Sequence, residues 1–308
     1  MRGIIDFKVS SSELILYRQV KELRQGYTLA RYFGLSNQLF HISRHHMMVT
    51  LMDIAVLIKQ SLDVQELRVD QDTGKIYIEE APTKAGDIDL NAAEEAVRIK
   101  EKVGGKATAI MLSTWGASGK RLKEAKEALK RVLAMGLDDA VLIMGEEGQK
   151  ADTYVVAKTL AEVIRDNYQL VLAAEGSDDN FSGLLPARIA AELDWPFIAY
   201  ATALELEGEY VKVTRSLEDY EETVRVKLPA VIAVTQEINK PRVPKLMDIV
   251  KAGKKPLDQR DFTPPSEPKI AIRELKVPKV ERKNVIIEGD VEEAAEKLLQ
   301  ALKEEGAL

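Results

Sequence analysis

The sequence predicts an α/β protein. Its fold class is a three-layer α/β/α arrangement with a mostly parallel sheet, an added antiparallel hairpin region and a C-terminal arm. Three observations carry this. Between residues 54 and 193 short apolar runs alternate regularly with segments of helical period, which favours a parallel sheet covered by helices on both faces. After residue 196 the pattern changes to short runs of β-branched and alternating residues. Residues 256–285 are then rich in Pro and charge with no sustained period, and an amphipathic pattern closes the chain.

Taken in order, residues 54–58 form an apolar run of strand length. Residues 89–103 place Ala92, Ala93, Ala96, Val97 and Ile99 on one side and Glu94, Glu95, Arg98 and Lys100 on the other. Gly104-Gly105 ends that helix, since glycine adopts the left-handed cap readily. A strand over 107–112, a helix over 119–135, a strand over 139–144, a helix over 152–166, a strand over 170–174 and a helix over 186–193 continue the alternation. Right-handed crossovers bring the carboxyl ends of such strands to one edge, where open sheets bind ligands. Residues 200–206 and 210–214 flank Glu207-Gly208 and read as a hairpin. With 222–227 and 230–235 they make the expected antiparallel addition. Residues 290–303 return as a helix with Val291, Ala294, Ala295, Leu298, Leu299 and Leu302 on one side. The chain thus divides into an extension over 1–51, an α/β domain over 52–255, and an arm with a terminal helix over 256–308.

Composition removes several classes of chemistry. A chain of 308 residues without a cysteine holds no disulfide, thiolate nucleophile or cysteine-ligated cluster. All three histidines, His41, His45 and His46, precede residue 52, so the body has no imidazole for a triad, a general base or a metal site. The formal net charge is −6, while residues 1–51 hold seven Lys/Arg against three Asp/Glu. The acidic remainder offers no basic groove for nucleic acid. No apolar run approaches the roughly 18 residues of a membrane span. Residues 1–51 also lack the apolar core of a secretory signal. They are expected to be an idiosyncratic extension, or to precede a start at Met47, Met48 or Met52. The other reading is an amphipathic extension that docks on a partner.

The loop after the 170–174 strand carries the best ligand signal: Glu175-Gly176-Ser177-Asp178-Asp179-Asn180-Phe181-Ser182-Gly183, with a helix following at Pro186. Backbone amides at a helix start favour phosphate. Ser182 and Gly183 are small enough to let a phosphate reach the backbone, and Asn180 adds side-chain hydrogen bonds. The bland alternative is a turn that only caps the helix. Gly116-Ala117-Ser118-Gly119-Lys120 hints at a P-loop, but its first glycine lies too close to Gly119-Lys120, and Arg121 replaces the required Ser/Thr.

Residues 213–233, VTRSLEDYEETVRVKLPAVIA, place a basic residue, an acidic cluster, Glu222-Thr223-Val224 and then Pro229 at the head of an apolar run. That order resembles the signature of the electron transfer flavoprotein β subunit, with Tyr220 departing from it. The resemblance runs from Met52 to the C-terminus. It covers the 175–183 loop, in which Asp179, Asn180, Phe181, Ser182 and Gly183 correspond to the family's nucleotide-binding loop, although Leu184-Leu185-Pro186 separate Gly183 from the helix. It also covers Ile58-Lys59 after the first strand and Ser113-Thr114 after the second, where the family lines its nucleotide. Gly86-Asp87 stands where the family often has Asn-Pro. The segment from Pro241 through Leu246 to Ala252 resembles the family's recognition loop, with Leu246 at the anchor position, and Glu222 matches an acid that pairs with an α-subunit arginine.

The resemblance implies an adenine-nucleotide-hydrolase-like fold and a cytoplasmic heterodimer with an α subunit that holds the redox-active FAD. It implies AMP, or a second FAD in electron-bifurcating relatives, bound to this chain, and no catalytic side chain. It further implies exchange of electrons with flavin dehydrogenases, such as acyl-CoA dehydrogenases, and with a membrane quinone oxidoreductase, or the splitting of NADH electrons between two acceptors. The alternatives are a stand-alone adenine-nucleotide sensor of the same architecture and an ATP-using ligase or pyrophosphatase. The latter lacks its Ser-Gly-Gly loop, since Lys59-Gln60-Ser61 stands there.

Overall fold

The computed structural model describes residues 52–70, 72–275, 277 and 284–308. The expected extension over 1–51 lies outside them. β1 (Met52–Leu57), β2 (Gln60–Leu62) and β3 (Thr83–Ala85) precede α1 (Asp87–Val103), β4 (Gly105–Leu112), α2 (Gly119–Met135) and β5 (Asp139–Met144). Next come α3 (Thr153–Ile164), β6 (Leu170–Ala174), α4 (Leu185–Leu193), β7 (Phe197–Glu207), β8 (Tyr210–Ser216), β9 (Glu221–Lys227) and β10 (Ala230–Val234). The last elements are α5 (Leu246–Ala252), β11 (Leu257–Asp261) and α6 (Val291–Glu304). One nine-stranded sheet runs in the order β11-β5-β4-β1-β6-β10-β7-β8-β9. It is parallel from β11 to β7 and antiparallel across β7–β8 and β8–β9. β2 and β3 form a separate antiparallel pair.

Side chains of β1 alternate between two cores. Met52, Ile54 and Val56 pack on the side of α1 and α2, while Ala55 and Leu57 pack on the side of α3 and α4. Because helices cover both faces, the strand reads as a continuous apolar run without polar alternation. The larger of these, Met52, Ile54, Val56 and Leu57, each contribute roughly 1.5–3 kcal/mol over leaving the side chain in water. This is the three-layer α/β/α fold that the alternation predicts. Gly104 and Gly105 stop α1 as expected, both at positive φ. A Cβ on Gly105 would stand 2.1 Å from the Met52 carbonyl oxygen, so only glycine lets β4 start this close to β1.

Two elements differ from expectation. β10 is not part of the antiparallel addition. It lies between β6 and β7, parallel to both, with all five residues buried. An unbroken apolar run of that length suits the middle of a parallel sheet, whereas a solvent-facing hairpin alternates. β11 falls inside the segment read as an arm. Four of its five residues are exposed, because it is an edge strand that pairs only with β5 and shows charge to water.

Candidate functional site

From β1 the chain winds outward to β4 and β5, then returns through α3 to β6 on the opposite side of β1. The connections beyond the carboxyl ends of β1 and β6 therefore part in opposite directions, and such a switch point opens a ligand crevice. The segments entering it are 58–59 with the start of β2 after β1, and the loop 175–184 after β6.

Lys59 bridges the two loops. Its Nζ donates to Ser177 Oγ at 3.0 Å and forms an ion pair with Asp179, whose side chain is only 6% exposed. The other oxygen of Asp179 accepts the Leu62 amide at 3.2 Å. Asp178 turns toward α1 and accepts the Asp87 amide at 2.7 Å, which gives the helix the side-chain cap that Gly86 does not supply. Asp89, 5% exposed, accepts the Lys59 amide at 2.8 Å. Burial pushes its carboxyl up to about 8, the Lys59 amide opposing this and the charges of Asp178 and Asp179 adding to it. At neutral pH Asp89 is therefore mostly a protonated acid. β1, α1 and β6 are tied together by these groups.

Asn180, Phe181, Ser182 and Gly183 remain exposed. Asn180 Oδ1 accepts from Ser177 Oγ at 3.2 Å and from the Ser182 amide at 3.3 Å. Phe181 and Gly183 have φ of 41° and 64°. Left-handed backbone costs a residue such as Phe181 about 1–2 kcal/mol. The Phe181 amide donates to the Ser177 carbonyl at 2.9 Å, and its ring lies so close to Gly176 that a Cβ there would meet it at 2.8 Å. α4 starts without a side-chain cap, so its first-turn amides are left for an outside acceptor.

The structure thus brings Lys59 together with Asp179, Asn180, Phe181, Ser182 and Gly183. Ile58 and Ser113 stand behind them. Ile58 is buried, and its amide donates to the Ile110 carbonyl at 3.0 Å. Ser113 is fully buried, and its hydroxyl donates to Gln60 Oε1 at 2.6 Å. Thr114 follows, half-buried. Gln60 in turn donates to Thr83 Oγ1 at 2.7 Å and to the Arg121 carbonyl at 2.9 Å, fixing the wall of the crevice from inside. Sequence reasoning missed Gln60, Ser177, Asp178 and Asp89 as site residues. Asp89 had a legible signal: it lies three, four and seven residues before Ala92, Ala93 and Ala96, so it is a carboxylate on a buried stripe. Among the described residues no group of three His, Asp or Glu could hold a metal ion, and no helix is long and apolar enough to cross a membrane.

Comparison with known proteins decides the family. Residues 74–265 match the model of the electron transfer flavoprotein domain. The electron transfer flavoprotein subunit beta of Thermoanaerobacterium thermosaccharolyticum is 34% identical over 82% of this chain and 98% of its own length. That of Bacillus subtilis is 32% identical, and that of Clostridium acetobutylicum 29%, over similar shares. The chain belongs to the electron transfer flavoprotein β-subunit family.

In this family member the two residues proposed for partner contact occupy different places. Leu246 opens α5 and is 76% exposed, with Met247, Val250 and Val243 exposed beside it. The loop before it is anchored by Arg242, which donates to Glu94 through its amide at 3.1 Å and its Nε at 2.8 Å, and to Glu101 through its Nη1 at 2.7 Å. These carboxylates raise the guanidinium above its ordinary range. Glu222 lies on β9 and is ion-paired across the strands with Arg215 of β8. An arginine from another chain would have to share that carboxylate.

Proposed function

We propose that this chain works as the β half of a cytoplasmic electron carrier. It pairs with an α subunit that holds the redox-active FAD, and binds an adenine nucleotide, AMP or a second FAD, in the crevice between β1 and β6. The observation that carries this reading is the exposed 180–183 loop, with Phe181 and Gly183 left-handed, in front of an uncapped helix at the switch point. A nucleotide fits that donor set. The amides of 183–185 and Asn180 suit phosphate, and the inward-turned Ser177, Asp178 and Asp179 keep the loop's shape. Lys59 neutralises Asp179, so the loop presents less negative charge to an anion. When bound, the flavin supplies the electron transfer. This chain's residues position it, exclude water and dock the exchange partners, and no covalent step is required of them. Leu246 is the docking anchor toward flavin dehydrogenases and a quinone oxidoreductase. The exposed stripe of α6, with Val291, Leu298 and Leu299, is the face laid on the α subunit.

The test is to co-purify the αβ complex, release its nucleotides by denaturation and count FAD and AMP. One flavin with one AMP per heterodimer indicates a simple carrier, and two flavins indicate bifurcation. Gly183→Val puts a branched side chain at φ 64° and costs about 1–2 kcal/mol of backbone strain, whereas Asn180→Leu carries no such strain. Each should release at least half of the nucleotide held by this chain, the former with a melting temperature lowered by a few degrees and the latter with it unchanged. Full retention in both variants would mean that the loop is only a turn.

A further inference from the structure

The chain is acidic overall, yet its described cations are not evenly neutralised. Most lysines elsewhere lie against a carboxylate, as Lys59, Lys84, Lys100, Lys106 and Lys150 do. Around α5 the pattern reverses. Residues 119–135 and 240–255 together hold twelve Lys/Arg against three Asp/Glu. The fold brings these two segments side by side: Ala252 of α5 is buried in the same core as α2, and a Cβ on Gly253 would lie 3.8 Å from Lys130 Cε. Some of the charge is spent internally. Arg242 is held by Glu94 and Glu101, and Lys255 donates to the Leu133 and Leu137 carbonyls, closing the end of α2. Six lysines are left over. Lys126, Lys130, Lys240, Lys245, Lys251 and Lys254 are exposed and, among the described residues, have no carboxylate in ion-pair reach. All but Lys254 border two depressions: Lys240, Lys245 and Lys251 one of about 640 Å³ between α5 and α1, and Lys126 and Lys130 one of about 350 Å³ along α2. Leu246, Met247, Val243 and Val250 project among them.

We propose that this face docks a protein whose apolar socket is ringed by carboxylates, and that the six lysines steer that protein onto Leu246. The proposal rests on the docking reading of Leu246 and adds the chemistry of the partner. An apolar cluster alone would accept many surfaces, and lysines alone would accept any polyanion. Together they require an acidic protein rim around a hydrophobic hollow. Whole-chain acidity hides this patch from a sequence count, because its two halves lie more than a hundred residues apart. Rim charges act mainly on the rate of encounter and its salt dependence, and exposed charges are screened beyond about 8 Å at physiological ionic strength. Such a rim suits an electron carrier that must find and leave its partners quickly.

The test uses the αβ complex and a purified acyl-CoA dehydrogenase reduced by its acyl-CoA, with the second-order rate of flavin reduction followed from about 20 to about 500 mM NaCl, a span across which screening strengthens several-fold. The wild-type rate is expected to fall steeply with salt. Lys126→Glu/Lys251→Glu should lower the low-salt rate at least tenfold and flatten the salt dependence, with Lys126→Gln/Lys251→Gln in between. Leu246→Ala should slow the reaction at every salt concentration while keeping the wild-type slope. Melting temperature and αβ assembly serve as controls, since both lysines are exposed. A salt-independent wild type, or charge reversals that leave the slope unchanged while Leu246→Ala is slow, overturns the acidic-rim proposal alone. A normal Leu246→Ala rate with the charge effects intact overturns the anchor reading alone. Charge reversal that separates α from β, or that changes only binding to phosphatidylglycerol vesicles or to RNA, overturns the proposal as well.

Discussion

Burial places the carboxyl of Asp89 near neutrality, and stability should report it. In the unfolded chain the group ionises near its ordinary value of 3.8, whereas in the fold it holds its proton to about 8. Between those values the native state binds one more proton than the unfolded state. Asp89 therefore makes stability fall as pH rises, by up to about 1.4 kcal/mol per unit, with no further change above the folded value. Asp89→Asn keeps an oxygen for the Lys59 amide and a donor where the protonated acid has one, and it has nothing to titrate. The expected outcome is a variant close to wild type at pH 4–5 and more stable at pH 8–9, measured by urea unfolding across that range. Parallel pH profiles for the two proteins would show that Asp89 is already ionised in the fold. At this scale the sequence was only partly legible. That 180–183 form an exposed turn ahead of a helix could be read, because Asn and glycine favour such turns. The roles of Ser177, Asp178 and Asp179 could not, because which way each side chain turns depends on Lys59 and Asp87, brought there by the fold.

Among the elements, α1 connects the crevice to the docking surface. Its first turn carries Asp87 and Asp89 at the crevice. Further along, Asn91 donates to the Asn239 carbonyl at 2.7 Å, and Glu94 and Glu101 grip Arg242. Glu94 has a side chain only 4% exposed, and burial raises its acid. Its bonds from Arg242 and Arg98 outweigh that and hold the carboxyl below its ordinary value. Arg242→Met keeps the aliphatic stem and removes the charge. Stranding a buried charge costs about 3–5 kcal/mol, and Arg98, 2.8 Å from Glu94, should hold the loss to the lower end. Because the folded acid is depressed, the stabilisation is present above the unfolded value and lost as pH falls through the folded one. The gap between wild type and Arg242→Met should therefore narrow in acid, and it should shrink in a Glu94→Gln background. A gap of equal size at pH 7 and pH 3, by urea unfolding, would assign the loss to packing. The elements themselves were largely legible. Helices and buried strands from 52 to 193 follow from periodicity, since each has a buried face of fixed spacing. β10 and β11 were misplaced because burial and edge position are properties of the sheet. β2 and β3 were not found, each being only three residues long.

At the scale of the whole molecule, the buried core of the described residues runs from Met52 to Phe262. Met52 is buried and pairs with Gly105, and Phe262 is buried against α3 and α4 just past the end of β11. Beyond Phe262 the described chain touches the body lightly, as where the Lys269 and Ile270 amides donate to Asp152 at 2.7 and 3.0 Å and the Val277 amide donates to the Gly74 carbonyl at 3.1 Å. α6 buries none of its residues. A helix of that length is marginal in water by itself, and its apolar stripe needs a surface to lie on. Two truncations follow. A chain beginning at Met52 should fold, melt and assemble as the full chain does. A chain of residues 52–263 should keep its sheet and melt within a few degrees of it, since exposed backbone hydrogen bonds are worth only about 1 kcal/mol each. That shorter chain should no longer hold an α subunit, because the stripe of Val291, Leu298 and Leu299 has gone with the arm. Size-exclusion chromatography after co-expression separates the cases. Loss of folding on removing 1–51 would place part of the core upstream of Met52. A stable αβ complex formed by 52–263 would move the subunit interface off the arm and onto the hairpin of β7–β9, where Tyr200 and Tyr220 are the exposed aromatic candidates.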